Sequence, residues 1–359
     1  MLKYLLFSWL FFILLFTGKY AFVYLSVWQT LSAYPDFNQH TREYHSTREM
    51  HLTTKLDNDA NPYYTWMDLT NYMPVVEEND MLRIYAYGPV EDITKFNRRV
   101  VIVCGQHGRE LVSSELCYTM IRLLQLYIRD DQDFTKTLSH HSLNGVGYWI
   151  VPVSCPWARY HAECSGDSDR QCQRTNARYV DLNRNFYNAH SNPQKKMIGG
   201  ETYAGEYPMS EYETLAIAKL LDYVEPHVLF NVHSGGEDIL LPYDSTYGKL
   251  PPNYEMMLML ARHAKEASKC RTCGLGISSI LYANNEDLAV GTLVDYAVDY
   301  CKVDIAYTLE IFVNTSANVM NEECRSYFNP QPGDDLSFVL RRWTTYILRL
   351  VDKLIEITE

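Results

Sequence analysis

Residues 100 to 110 read Val-Val-Ile-Val-Cys-Gly-Gln-His-Gly-Arg-Glu. Four apolar residues in a row followed by a break at glycine describe a short strand buried on both faces. From Glu110 to Arg129 the apolar residues Leu111, Cys117, Ile121, Leu124 and Ile128 recur at helical spacing. The break therefore sets His107 in the turn at the strand's end and Glu110 in the first turn of a helix. An imidazole and a carboxylate three residues apart across such a turn converge on one point, as two ligands of a zinc ion must. A surface histidine beside a helix-capping glutamate would satisfy the same residues, because carboxylates favour helix N-termini.

The texture recurs along the chain. Apolar runs at Met81–Tyr87, Gly147–Val153, His227–His233 and Asp304–Phe312 read as further strands. Tyr254 to Cys270 repeats at helical period, and Asp334-Asp335 opens a long final helix with an apolar stripe from Leu336 to Leu354. Ser210-Glu211-Tyr212-Glu213 reads as a capping box opening a helix that runs to about Tyr223. Strands alternating with helices predict an α/β fold with a mixed, largely parallel central sheet and helices on both faces. Sites in such folds gather at the carboxyl ends of strands.

The chain's net charge of −12 comes without a basic stripe, which argues against a nucleic-acid partner. Met1-Leu2-Lys3 precedes an apolar run from Tyr4 to Phe16, the length of a signal-peptide core, and a second run spans Tyr20 to Trp28. Residues 1–33 are thus expected to be a signal peptide or a membrane anchor, either of which sends the chain into the secretory pathway. Residues 34–62 read as a polar linker and residues 63–359 as a single domain. The oligomeric state stays open. Nine cysteines in a secretory chain predict disulfides with one thiol left over. Cys104 and Cys117 are expected to be free core thiols, Cys155, Cys164 and Cys172 to bridge within one insert, and Cys301 to pair with Cys324. Cys270-x-x-Cys273 lacks the second pair that a zinc ribbon needs.

Three further stretches carry chemistry. In Val228-Leu-Phe-Asn-Val-His233-Ser-Gly an apolar strand again ends in histidine and meets glycine. Two histidines and one glutamate would leave the fourth position of a zinc ion for water, the catalytic arrangement. In Tyr179-Val-Asp-Leu-Asn183-Arg184-Asn-Phe, an asparagine beside an arginine suits a carboxylate ligand, although a loop salt bridge fits the same pair. Glu310 interrupts the apolar strand Ile305–Phe312, a costly position for a carboxylate unless it is paired or functional.

These motifs, in this order and spacing, resemble the zinc metallocarboxypeptidases of the carboxypeptidase A/B type over about residues 60 to 355. The resemblance rests on His107-x-x-Glu110, Asp181-Leu-Asn-Arg-Asn-Phe186, Tyr203-x-Gly205-x-x-Pro208-x-Ser210-Glu211, the strand-end His233 and Glu310. It implies His107, Glu110 and His233 as ligands of one zinc ion and Glu310 as general base. Asn183 and Arg184 would hold the terminal carboxylate of a peptide substrate, Arg174 would polarise the scissile carbonyl, and Arg109 would be an auxiliary substrate-binding residue. Tyr282 best matches the active-site tyrosine. Val294, just before Asp295-Tyr296, would floor the specificity pocket and select apolar or aromatic C-terminal residues; a one-residue slip would put Asp295 there instead. The family's usual aromatic two residues after the strand-end histidine is Gly235 here, which predicts a wider groove. The short cysteine-rich insert before Asp181 is closest in texture to uncharacterised carboxypeptidase-like proteins of plants and protists. Two alternatives to a C-terminal exopeptidase remain: an inactive binding module on the same fold, and a peptidoglycan or other amide hydrolase.

Overall fold

β3 (Arg98–Cys104) runs through the middle of an eight-stranded sheet, and its residues from Val100 onward have no contact with solvent. The other strands are β1 (Tyr64–Asp68), β2 (Tyr85–Pro89), β4 (Val146–Val151), β5 (Val228–His233), β6 (Gly236–Leu241), β7 (Gly274–Ile277) and β8 (Ile305–Phe312). Their order across the sheet is β1-β2-β4-β3-β5-β8-β6-β7. The central pairs β4/β3, β3/β5 and β5/β8 are parallel, as is β6/β7, while β1/β2, β2/β4 and β6/β8 are antiparallel. This computed structural model describes residues 42–50, 63–70, 83–129, 133–164, 171–188, 199–282, 288–317 and 323–359. The apolar N-terminal segment, residues 1–33, lies outside them. Among the described residues no helix is long and apolar enough to cross a membrane.

Side chains alternate between the two faces of the sheet, and helices cover both. On one face Val101, Val103, Leu229 and Ala306 pack against the helices Tyr212–Val224 and Leu293–Asp299. On the other lie the helices Leu111–Arg129, Tyr254–Ala267 and Asp334–Thr358. Tyr307 on β8 donates from its hydroxyl to the carbonyl of Met257 (2.7 Å), and Trp343 on the last helix donates to the carbonyl of Ile311 (2.8 Å). Residues 42–50, within the stretch read as a linker, pack on this body: Met50 and Thr47 are buried, and Tyr44 donates to the carbonyl of Pro330.

The local expectations need several corrections. β1, β6 and β7 carry no clean alternation: β6 opens Gly-Glu-Asp, and β7 is Gly-Leu-Gly-Ile. The capping box does not form. Glu211 is the N-cap without a side-chain cap bond, because Ser210 Oγ donates to Glu211 Oε1 and Glu211 Oε2 accepts from Asn176.

The cysteine expectations fail on three counts. Cys104 and Cys117 form a disulfide, since Cys117 faces back onto the strand end with Cα atoms 6.2 Å apart. Cys172 pairs with Cys324 across 152 residues, and Cys270 pairs with Cys273. Cys155, Cys164 and Cys301 are free: Cys155 is buried with Ala158 and Leu182, out of reach of its neighbours in sequence.

Candidate active site

The carboxyl ends of β3, β5 and β8 open onto one cavity of about 490 Å³. β3 lies between β4 and β5, so the chain leaves it on one side and returns on the other, which opens a crevice at that point. Gly105 makes the exit with φ +67°, and a Cβ there would stand 2.6 Å from Ser114 Oγ. The next residues bring His107 and Glu110 to the cavity, with Glu110 directly before the helix Leu111–Arg129 rather than in its first turn.

His107, Glu110 and His233 face one another at ligand distances. His107 Nδ1 is 2.7 Å from Glu110 Oε1, His233 Nδ1 is 3.0 Å from Glu110 Oε2, and the two Nδ1 atoms are 3.2 Å apart. The outer nitrogen of each ring is held by an oxygen: His107 Nε2 donates to Asp181 Oδ1 (3.0 Å), and His233 Nε2 donates to Gln106 Oε1 (3.1 Å). With both protons on Nε2, the set presents two lone pairs and a carboxylate to one spot. Such an arrangement is repulsive without a cation. Ligand atoms about 2.0–2.1 Å from a tetrahedral zinc stand roughly 3.4 Å apart, so the donor set fits that ion.

A shell of charge surrounds the triad. Burial alone would raise the pKa of Asp181, but Arg174 and His107 override it and hold the carboxyl well below its usual range. Arg174 donates to Asp181 Oδ2 through Nε (3.1 Å) and Nη2 (2.8 Å), and its Nη1 comes within 3.7 Å of Glu110. Glu310 sits directly across the β5/β8 ladder from His233, with a buried Oε2 that has no hydrogen-bond partner among the described residues. Burial, with help from Glu110, pushes its pKa up to about 7. An unpartnered carboxylate oxygen in a cavity wall is placed to accept a proton from whatever enters it.

Asn183 Oδ1 accepts from the Leu293 N–H (3.0 Å), which leaves its Nδ2 near His233. Arg184 lines the cavity and, among the described residues, makes no ion pair; its Nη1 donates only to the Asn183 carbonyl (2.8 Å). Burial lowers its pKa. Tyr282 also lines the cavity, its hydroxyl donating to Asp238 Oδ2 (2.6 Å). Arg109 is less open than expected, because Glu201 accepts from both of its terminal nitrogens.

Val294, expected at the pocket floor, is 1% exposed within the core and does not line the cavity. It belongs to the helix Leu293–Asp299, whose buried face turns it toward the sheet. Asp295 does not line the cavity either: it accepts from the N–H groups of Asp244 and Ser245. Of these neighbouring acidic residues it is Asp244, beyond the end of β6, that lines the cavity, together with Leu240, Ser278, Ser279 and Thr292. Nor is the groove widened at Gly235. Phe328, from the short helix Cys324–Phe328, fills that space, and a Cβ on Gly235 would lie 2.9 Å from its ring. Asp181 opens the Asp-Leu-Asn-Arg-Asn-Phe motif and Gln106 directly precedes His107, whereas Glu201, Asp244 and Phe328 have no local sequence signal.

Residues 76–331 match the zinc carboxypeptidase family. Carboxypeptidase B2 of Rattus norvegicus is 24% identical over 230 residues, which is 60% of this chain and 51% of that protein. Carboxypeptidase O of Bos taurus is 27% identical over 278 residues, covering 69% of this chain and 68% of that one. The chain thus spans about half the length of the first of these relatives. Bovine thrombin-activatable fibrinolysis inhibitor, solved with a tick carboxypeptidase inhibitor, superposes with a TM-score of 0.68 at 18% identity, over 89% of this chain and 99% of that one. Carboxypeptidase A from Helicoverpa armigera gives 0.66 at 18% identity, over 88% and 75%. These likenesses carry the fold.

Proposed function

Because the chain belongs to the zinc carboxypeptidase family, we propose that it removes the C-terminal residue of peptides, with a preference for cationic ends. One observation carries the reading: the His107–Glu110–His233 triad, the orphaned oxygen of Glu310 and the ion-pair-free Arg184 face the same cavity. Zinc held by the triad would polarise the scissile carbonyl and lower the pKa of a water towards about 7. Arg184 and Asn183 Nδ2 hold the terminal carboxylate, which limits cutting to the last peptide bond. Arg174, oriented by Asp181, stabilises the negative charge that develops on the carbonyl oxygen. Glu310 takes a proton from the attacking water and returns it to the departing amine. The complete set of these groups disfavours an inactive module, and Arg184 disfavours substrates without a terminal carboxylate.

With Val294 in the core, the basis for an apolar preference is gone. Asp244 lies in the cavity and Asp295 directly behind it, and burial together with Asp244 pushes Asp295 up to about 7. Two buried carboxyls side by side gain from a cation, and a substrate ammonium or guanidinium supplies it. The aliphatic stem of such a side chain can lie on Leu240. An oxidising compartment, and so the secretory pathway, is supported by the three cysteine pairs.

The test is release of the last residue from matched blocked dipeptides ending in Arg, Lys, Phe, Leu and Glu, with and without chelator. Chelator-sensitive release of Arg at least about tenfold faster than Phe is expected. Asp244→Asn should cut kcat/KM for the Arg peptide by about thirtyfold or more, the cost of removing one partner of a buried charge pair. Faster release of Phe would overturn the assignment of Asp244, and activity untouched by chelator would overturn the metal reading.

A further inference from the structure

The cavity divides at the triad. Asn183 lies on the side of His233, with Arg184 bonded to its carbonyl, whereas Arg174 lies on the side of Glu110 and of Asp181, the partner of His107. On the reading above, the C-terminal residue occupies the first side, so the rest of the peptide leaves past the second. Arg109 would be the obvious cation there, but it is masked. Its Nη1 and Nη2 donate to Glu201 Oε1 (2.7 Å) and Oε2 (3.2 Å), its guanidinium lies 4.3 Å over the Phe328 ring, and its side chain is 6% exposed.

Glu201 is the reverse case, with 65% of its side chain exposed. Its backbone is nevertheless tied down. The Glu201 carbonyl accepts from Arg174 Nε (3.1 Å), and two residues on the Tyr203 carbonyl accepts from the Asp181 N–H (2.8 Å). Although burial raises its pKa, Arg109 outweighs that and keeps the carboxyl below its usual range. The upstream wall therefore presents a fixed carboxylate where sequence alone suggests a guanidinium.

We infer that Glu201 is a specificity-determining residue for the peptide upstream of the scissile bond, favouring cationic and disfavouring anionic side chains there. The inference rests on the carboxypeptidase reading, and its test separates the two. Blocked tripeptides with a fixed C-terminal Arg, carrying Lys, Gln or Glu upstream of the scissile bond, are compared on the wild type and on Glu201→Gln. The wild type should prefer Lys over Glu by about fivefold or more in kcat/KM, mainly through KM, and the preference should shrink in high salt. In Glu201→Gln the ratio should fall to about one or invert, as Arg109 is released to meet an acidic residue. A wild-type ratio near one, or one unchanged in Glu201→Gln, overturns the inference. Binding of the same tripeptides to the Glu310→Gln protein, by calorimetry, gives an independent readout. A Lys-over-Glu binding preference without turnover in the wild type would refute hydrolysis and uphold Glu201; equal binding of the two would refute Glu201.

Discussion

Asp181→Asn changes one atom and should disable the metal site from behind. Asp181 accepts four hydrogen bonds: Oδ1 from His107 Nε2 (3.0 Å) and the Asn183 N–H (2.9 Å), Oδ2 from Arg174 Nε (3.1 Å) and Nη2 (2.8 Å). All four partners are donors, so an amide must set its NH₂ against two of them. Turning the NH₂ toward Arg174 strands a buried guanidinium, which costs about 3–5 kcal/mol. Turning it toward His107 is cheaper, and the imidazole can then accept from the amide only by moving its proton to Nδ1, where it blocks a ligand position. Reversing that tautomer on metal binding should weaken zinc affinity about 10- to 100-fold, or roughly 1.4–2.7 kcal/mol. The assay is zinc competition against a chromophoric chelator at neutral pH, with circular dichroism as a check on folding. Affinity within about threefold of wild type would show that the tautomer argument is wrong.

Glu310→Gln should keep zinc binding while kcat falls by about two to four orders of magnitude, the range for loss of a general base; near-normal turnover would assign proton transfer to another group. Glu213, with its pKa raised from 4.5 to about 7 chiefly by burial, sets a pH-dependent stability. Between those values the folded state keeps a proton that the unfolded state releases, so stability declines as pH rises through the window and is level above it. Glu213→Gln should gain up to about 3 kcal/mol at pH 8 and little near pH 4.5 by urea unfolding; equal gains at both would reject the shift. Replacing Cys104 and Cys117 by Ala should cost about 3 kcal/mol, the loop-closure value for a disulfide of this separation, and the difference should vanish in reductant. Mapping of non-reduced peptides should find Cys172 linked to Cys324, and a thiol at either would refute that pairing.

The clustering of His107, Glu110 and His233 was legible because these residues stand where the strongest local signals end. His107 lies three residues beyond the apolar run that ends at Cys104, His233 closes a largely apolar strand two residues before Gly235, and Glu310 stands inside another, so their places follow from strand ends. What decides specificity has no such marker. Val294 was expected at the floor of the specificity pocket, yet Leu293, Val294, Ala297 and Val298 form one helical face that finds the sheet. Asp244 reaches the cavity only because β6 pairs antiparallel to β8, and the polar start of β6 hides that strand. Cys172 and Cys324 are as ordinary in sequence as Cys155, and their pairing depends on tertiary proximity alone. The ion pair that holds Arg109 could not be read locally, because Glu201 lies 92 positions away.

The aromatic that packs on Gly235 comes from a different element than the strand bearing His233. Gly235 has φ +128°, so any larger residue there would strain the backbone that carries His233. Phe328 carries no such burden, and its helix is anchored covalently by Cys324 to Cys172, two residues before Arg174. The wall of the groove and the strand end that bears His233 are therefore separable parts. A lineage, or a protein engineer, can recut the cleft at position 328 and leave the histidine geometry alone, a freedom denied to chains that build the same wall on the strand itself.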